Sequence, residues 1–237
     1  MIILEGISKS FNGTFAVKDL SATVNDGEVF GLVGPNGAGK TTTMKMLSGL
    51  LMPDAGKILI GNYDILKEPI EAKSVLGYVP DKGFLYEKLS VSEFLTFISS
   101  IHLIEKSDAG ARIEELLSLF GIKEREHDLI ESLSQGMRQR LLIASALVHS
   151  PEVLLIDEPF TGLDPLGVRM LKSLLAALGA AGTAVFLATH SLHIAEQVCD
   201  TVGFINKGSL TAVKNREEIK GTKGGLEGMF LRMSEDP

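Results

Sequence analysis

One stretch, GPNGAGKTT at 34–42, constrains this chain more than any other. It fits the spacing G-x-x-x-x-G-K-[ST], with a short apolar run (EVFGLV, 28–33) in front and a helix-forming run from about Lys40 to Leu50 behind. Glycines at these positions let several backbone N–H groups turn toward one point, and the N-terminus of the following helix adds partial positive charge there. Such a corner suits phosphate oxygens. Lys40 would reach the β- and γ-phosphates of a nucleotide, and the Thr41 hydroxyl a Mg²⁺ ion. The plainer reading is a glycine turn that caps a helix; the strand–loop–helix context argues against it.

A strand feeding such a loop implies a parallel α/β sheet, and the remaining pattern agrees. Residues 2–7 and 15–24 alternate as strands do, with a turn at 25–27. Short strands follow at 57–60 and 76–79. Residues 90–149 read instead as helices over 91–102, 109–120 and 134–149. Alternation then resumes: strand 152–157, helix 167–180, strand 183–189, helix 191–199, strands 201–206 and 209–213. The end, from Lys223, reads as a loop and a short helix with a frayed tip. Near-continuous apolar strands between helices indicate a sheet covered on both faces. The expected fold is α/β: a P-loop NTPase core with a mainly parallel sheet, an N-terminal antiparallel β part and a helical insertion. We expect one domain over 1–237, its core formed by 1–89 and 150–237 and the helical subdomain by 90–149.

Composition excludes several classes. With 45% hydrophobic and 22% charged residues, the chain has material for a sizeable core. The net charge of −7 argues against a nucleic-acid partner. The single cysteine, Cys199, reads as inert filler in a reducing compartment. No apolar run approaches the ~18 residues that would span a bilayer, and MIILEGISKS does not resemble a signal peptide. A cytoplasmic chain is expected, peripheral to a membrane only through partners.

A second acidic element completes the first. VLLIDEP at 153–159 places two carboxylates at the end of an apolar strand, where open α/β sheets bind ligands. Asp157 is placed to hold Mg²⁺, and Glu158 to polarise a water against the γ-phosphate. Alone, such a strand end could simply begin a loop.

In these motifs and their order, the chain resembles the ATP-binding subunit of ABC transporters over nearly its whole length. Gly34, Pro35, Asn36, Gly37, Ala38, Gly39, Lys40, Thr41 and Thr42 look like the Walker A loop. LSQGMRQR at 133–140 resembles the ABC signature, with Gln135 and Met137 where the common pattern has Gly and Gln. VLLIDEP resembles Walker B with its catalytic glutamate, TGLDP the D-loop through Asp164, and LATH the strand ending on the switch histidine, His190. Phe11 stands where family members stack an aromatic ring on adenine. The family usually has Gln after GYVP; here Asp81 stands there, adding negative charge beside the phosphates and a possible Mg²⁺ ligand.

The resemblance implies a head-to-tail dimer, homo- or heterodimeric, around two ATP molecules. Ser134, Gln135 and Gly136 of one chain would contact the ATP of the other, and separate transmembrane permease subunits would dock on the helical insertion and residues 80–95. It implies export, because importer-type subunits often carry an added regulatory domain. A soluble ABC-type ATPase acting on nucleic acid or ribosomes would usually show coiled-coil insertions or two ATPase halves. A small-molecule kinase would leave the signature unexplained. Arg138 and Arg140 read as helix-surface residues in salt bridges, and His193 as a surface helix residue. His102, His127 and His149 have no metal-ligand spacing.

Overall fold

A computed structural model describes residues 1–235, and side chains up to Phe230. In chain order the elements are β1 (Ile2–Phe11), β2 (Thr14–Val24), β3 (Val29–Val33), α1 (Lys40–Leu47), β4 (Ala55–Ile60), β5 (Tyr63–Asp64), α2 (Pro69–Ser74) and β6 (Leu76–Val79). Helices α3 (Val91–Ile101), α4 (Lys106–Leu119) and α5 (Gln135–Leu147) come next. The chain continues with β7 (Val153–Asp157), α6 (Pro165–Ala180), β8 (Ala184–Thr189), α7 (Leu192–Val198), β9 (Thr201–Asn206), β10 (Ser209–Asn215), α8 (Arg216–Lys220) and α9 (Gly225–Glu235).

Two sheets form. One is antiparallel, in the order β2-β1-β4-β5; the other has the order β10-β9-β3-β8-β7-β6 and is parallel except for β10. Strands β3, β7 and β8 are buried at every residue. Their side chains alternate between two cores. Leu154, Ile156, Val185 and Leu187 face a core built with α3–α6, while Val153, Leu155, Phe186 and Ala188 face one built with α1 and the antiparallel sheet. The expected α/β class, antiparallel N-terminal part and parallel sheet are all present.

The register fixes where chemistry can sit. Val33 pairs with Thr189, Ala188 with Asp157, and Ile156 with Val79. The carboxyl ends of β3, β8, β7 and β6 therefore lie in a row at one edge of the sheet. Each is followed at once by a candidate residue: Gly34, His190, Glu158 and, two residues on, Asp81.

Local boundaries differ from expectation where side-chain periodicity is weak. β1 runs on to Phe11 instead of stopping near residue 7, because irregularities between Leu4 and Ile7 and again before Ser10 break its alternation. Phe11 thus ends a strand, beside an Asn12–Gly13 turn with both φ positive. Helix α4 starts at Lys106, three residues early, on a polar turn whose Glu105 makes no side-chain cap. Helix α5 stops at Leu147, leaving His149 outside it. α2 was not expected: it is short and starts on Pro69. At the end of the chain stand α8, held by a capping box between Asn215 and Glu218, and α9. The tip expected to fray includes residues 236–237, which lie outside the described residues.

Candidate functional site

The glycine-rich loop after β3 is shaped by contacts that only glycine allows. A Cβ at Gly34 would collide with the carbonyl oxygen of Ile205, and Gly39, with φ 112°, packs against the Ala16 carbonyl. The loop therefore lies flat on β9 and β2 before α1 begins at Lys40. No acidic residue occupies the first turn of α1, so its free N–H groups and dipole face an anion without competition.

Lys40 is buried, and its Nζ donates to the carbonyls of Gly34 (2.7 Å) and Pro35 (3.1 Å). Burial lowers its pKa, and the carboxylates of Glu158 and then Asp157 oppose the shift. Around Lys40 lies a cleft of about 200 Å³ lined by Ala16, Asn36, Gly37, Gly39, Thr41, Thr42, Asp81 and Glu158.

Thr41 Oγ1 donates to Asp157 Oδ2 at 3.1 Å. Asp157 is 1% exposed, and its Oδ1 is buried with no hydrogen-bond partner among the described residues. Burial pushes its carboxyl up to about 6, helped by the charges of Glu158 and Asp81 and opposed by the Thr41 hydroxyl and Lys40. An orphaned carboxylate oxygen beside a hydroxyl and two further carboxylates is a site short of positive charge, and it fits a hard divalent cation. No three His, Cys, Asp or Glu side chains among the described residues form a metal cage. Mg²⁺ commonly takes one or two protein oxygens and completes its shell with phosphates and water, and Thr41 Oγ1 and the unpartnered Asp157 Oδ1 are two such oxygens.

Glu158 is held on every side. Its backbone has φ 47°, a left-handed conformation costly for glutamate, fixed by a bond from its N–H to Ala188 O at 2.9 Å. Its Oε1 accepts from His190 N (2.9 Å) and contacts His190 Nδ1 (2.8 Å); Oε2 accepts from Thr189 Oγ1 (3.0 Å). Thr189 holds no motif position of its own. A hydroxyl just before the histidine of LATH was the only available signal.

Phe11 is 48% exposed. It pairs across the hairpin with Thr14, two residues along β2 from Ala16, which lines the cleft. Lys9 Nζ lies 5.9 Å from its ring centre.

The signature stands apart. Ser134 caps α5, accepting from Met137 N at 3.3 Å, and neither it, Gln135 nor Gly136 lines the cleft. Gln135 instead lines a groove of about 950 Å³ together with Asp81, Phe84, Tyr86, Phe97 and Arg138. Phe84 is 80% exposed, with Tyr86 set edge-on to it at 5.5 Å. Arg138 bonds Glu87 Oε1 (2.8 Å), Glu131 O (2.8 Å) and Leu133 O (3.2 Å). Arg140 reaches Asp164 Oδ1 at 2.8 Å. Among the described residues, no helix is long and apolar enough to cross a membrane. Cys199 is buried, which pushes its thiol pKa up, in keeping with an inert role.

Comparison with known proteins agrees with this geometry. The sequence profile of the ABC transporter family matches residues 17–161. The linearmycin resistance ATP-binding protein LnrL of Bacillus subtilis is 37% identical over 95% of this chain and 72% of its own length. The daunorubicin resistance ATP-binding protein DrrA3 of Streptomyces coeruleorubidus is 35% identical over 94% of this chain and 71% of its own. A solved ATP-binding subunit of an ABC transporter superimposes with a TM-score of 0.93 at 29% identity, covering 99% of this chain and 100% of that one.

Proposed function

This chain belongs to the ABC transporter family as an ATP-binding, ATP-hydrolysing subunit, and we propose that two copies, or this chain and a homologous one, close head to tail around two ATP molecules. In each site the Walker A loop of one chain faces Ser134, Gln135 and Gly136 of the other. Phe11 stacks on adenine. Residues 34–42 wrap the phosphates, with Lys40 turning from its own loop carbonyls to the β- and γ-phosphates. Thr41 and Asp157 hold Mg²⁺, with Asp81 as a further ligand, and the ion neutralises phosphate charge when bound. Glu158 draws a proton from the attacking water, and His190 keeps the carboxylate aimed and contacts the γ-phosphate. Asp164 is presented across the dimer interface.

The observation that carries this reading is Glu158. A strained backbone and bonds to both carboxylate oxygens aim one acid at the cleft that holds the phosphate-loop lysine. Such pre-positioning is what a base for water attack requires.

The open–closed cycle would drive transmembrane subunits seated in the groove lined by Phe84 and Tyr86, with residues 90–149 acting as a helical subdomain. The chain would then lie peripherally on the inner face of the membrane. The linearmycin and daunorubicin resistance proteins among its relatives support export.

Glu158→Gln tests the reading. Hydrolysis should fall by about 10²-fold or more, and the variant should elute as a dimer with ATP and as a monomer without it. A variant that hydrolyses at the parent rate and stays monomeric with ATP sinks the assignment.

A further inference from the structure

Arg140 does more than decorate a helix surface. Residues 138 and 140 are two positions apart, so they leave α5 roughly 200° apart around its axis. Arg138 goes to Glu87 at the groove, whereas Arg140 goes the other way, to Asp164. The Arg140 side chain is only 17% exposed. Its Nη2 donates to Asp164 Oδ1 at 2.8 Å and its Nη1 to Phe120 O, just past α4, at 3.5 Å.

The same Asp164 oxygen accepts from Gly167 N at 2.9 Å and so caps α6. Gly167 leaves room for this arrangement. A Cβ there would approach Asp164 Oδ1 to 2.8 Å and Arg140 Nη2 to 3.3 Å. Between Glu158 and Asp164 the chain is a tight double turn, with Thr161 N on Glu158 O (3.2 Å) and Leu163 N on Phe160 O (3.3 Å). Gln139 of α5 adds a second tie, from Nε2 to Pro159 O at 3.4 Å. The segment that carries Glu158 is thus fastened to the signature helix at both its ends.

We propose that Arg140 is a positioning residue for ATP hydrolysis: it locks the turn from Pro159 to Asp164, which follows the base, to α5, so that Asp164 and the peptide after Glu158 keep their place against the signature when the dimer closes. This rests on the reading of Glu158 and the signature given above. Without the lock, α5 still closes on the partner's nucleotide while the turn from Pro159 to Asp164 is left slack beside the base. The loss would then fall on turnover, since the Walker A loop that binds ATP is untouched.

The test compares steady-state ATP hydrolysis and melting temperature for Arg140→Met, Arg140→Lys, Asp164→Asn, the Met/Asn double variant and Gly167→Ala. Arg140→Met should lower kcat about tenfold with KM within about twofold, in the range of couplings measured between distant sites. Arg140→Lys should recover part of the loss. Because Asn still caps a helix but also loses the charge at the dimer interface, Asp164→Asn should lose at least as much as Arg140→Met, and the double variant should be no worse than Asp164→Asn alone. Gly167→Ala should reproduce the loss without removing a charge. A kcat within twofold of the parent for Arg140→Met overturns the proposal, as do losses that multiply in the double variant. Glu158→Gln run alongside separates the two readings. If it hydrolyses normally, the site assignment has failed; if it is inactive while Arg140→Met is fully active, only the lock has.

Discussion

Asp157 is the residue on which electrostatics and chemistry conflict most. Its carboxylate is buried beside two others, with one oxygen unpartnered and only the Thr41 hydroxyl and the buried Lys40 in support. Its folded pKa, about 6, lies above the ordinary 3.8. The raised value means the fold favours the protonated acid, so the stability it contributes is fully present below about pH 4 and is lost as pH rises through 6. Asp157→Asn should therefore raise the melting temperature of the nucleotide-free chain above pH 6 and leave it nearly unchanged at pH 4. Discounted for solvent in the cleft, the gain is on the order of 1–2 kcal/mol, where 1 kcal/mol is about 2–4 °C. The same variant should lose Mg²⁺-dependent hydrolysis. A melting curve that shifts equally at both pH values, or not at all, overturns this account. Most residues gathered here were legible in sequence, because phosphate chemistry demands fixed residue types on short contiguous runs. Thr189 and Ala16 were not. They reach the cleft only through the β3–β8 pairing and the hairpin register, which no local pattern encodes.

At the scale of elements, the ends of α3 and α5 meet over the start of β6. His102 caps α3, His149 follows α5, and their rings stack at 3.7 Å with a 7° tilt. His149 Nε2 contacts Leu76 O at 3.1 Å, while its Nδ1 is buried with no partner among the described residues. A proton on Nδ1 would therefore sit unbonded beside a second ring. Burial, then the charge of His102, lowers the His149 pKa from 6.5 to about 4, with the Leu76 carbonyl opposing. The depressed value makes this contribution fully present above about pH 6.5 and progressively lost as pH falls toward 4. His149→Gln keeps an amide donor for Leu76 O and removes the titration. Its melting temperature relative to the parent should rise between pH 7.5 and pH 5. A constant difference across that range excludes the histidine pair as the cause. The sequence pattern extended both helices by a residue or two and so hid this contact. Likewise β1 looked short because its irregularities interrupt the alternation from which a strand is read.

For the whole molecule, the question is why the signature is so carefully built yet absent from the cleft. Ser134 caps α5, and two bonds from Arg138 clamp the turn before it while a third holds Glu87, but no residue of 134–136 lines the nucleotide cleft. If the signature were only a helix start, Ser134→Arg would cost stability on the order of 1 kcal/mol and leave turnover intact. If it completes the site of a second copy, that variant should bind ATP as a single chain and hydrolyse none. Complementation tells the two apart. A Lys40→Ala chain lacks a working phosphate loop but keeps its signature; a Ser134→Arg chain has the reverse defect. In a head-to-tail pair of the two, one site combines the intact loop of the second with the intact signature of the first. The other site combines both defects. Each variant alone should be inactive. An equimolar mixture pairs at random, so half the dimers carry one good site of two, and activity should recover to at most about a quarter of the parent. Recovery should also rise with protein concentration, as dimer formation requires. An inactive mixture, while the parent turns over under the same conditions, would mean that the two phosphate-binding corners do not meet across chains. The head-to-tail dimer would then have to be abandoned for this protein.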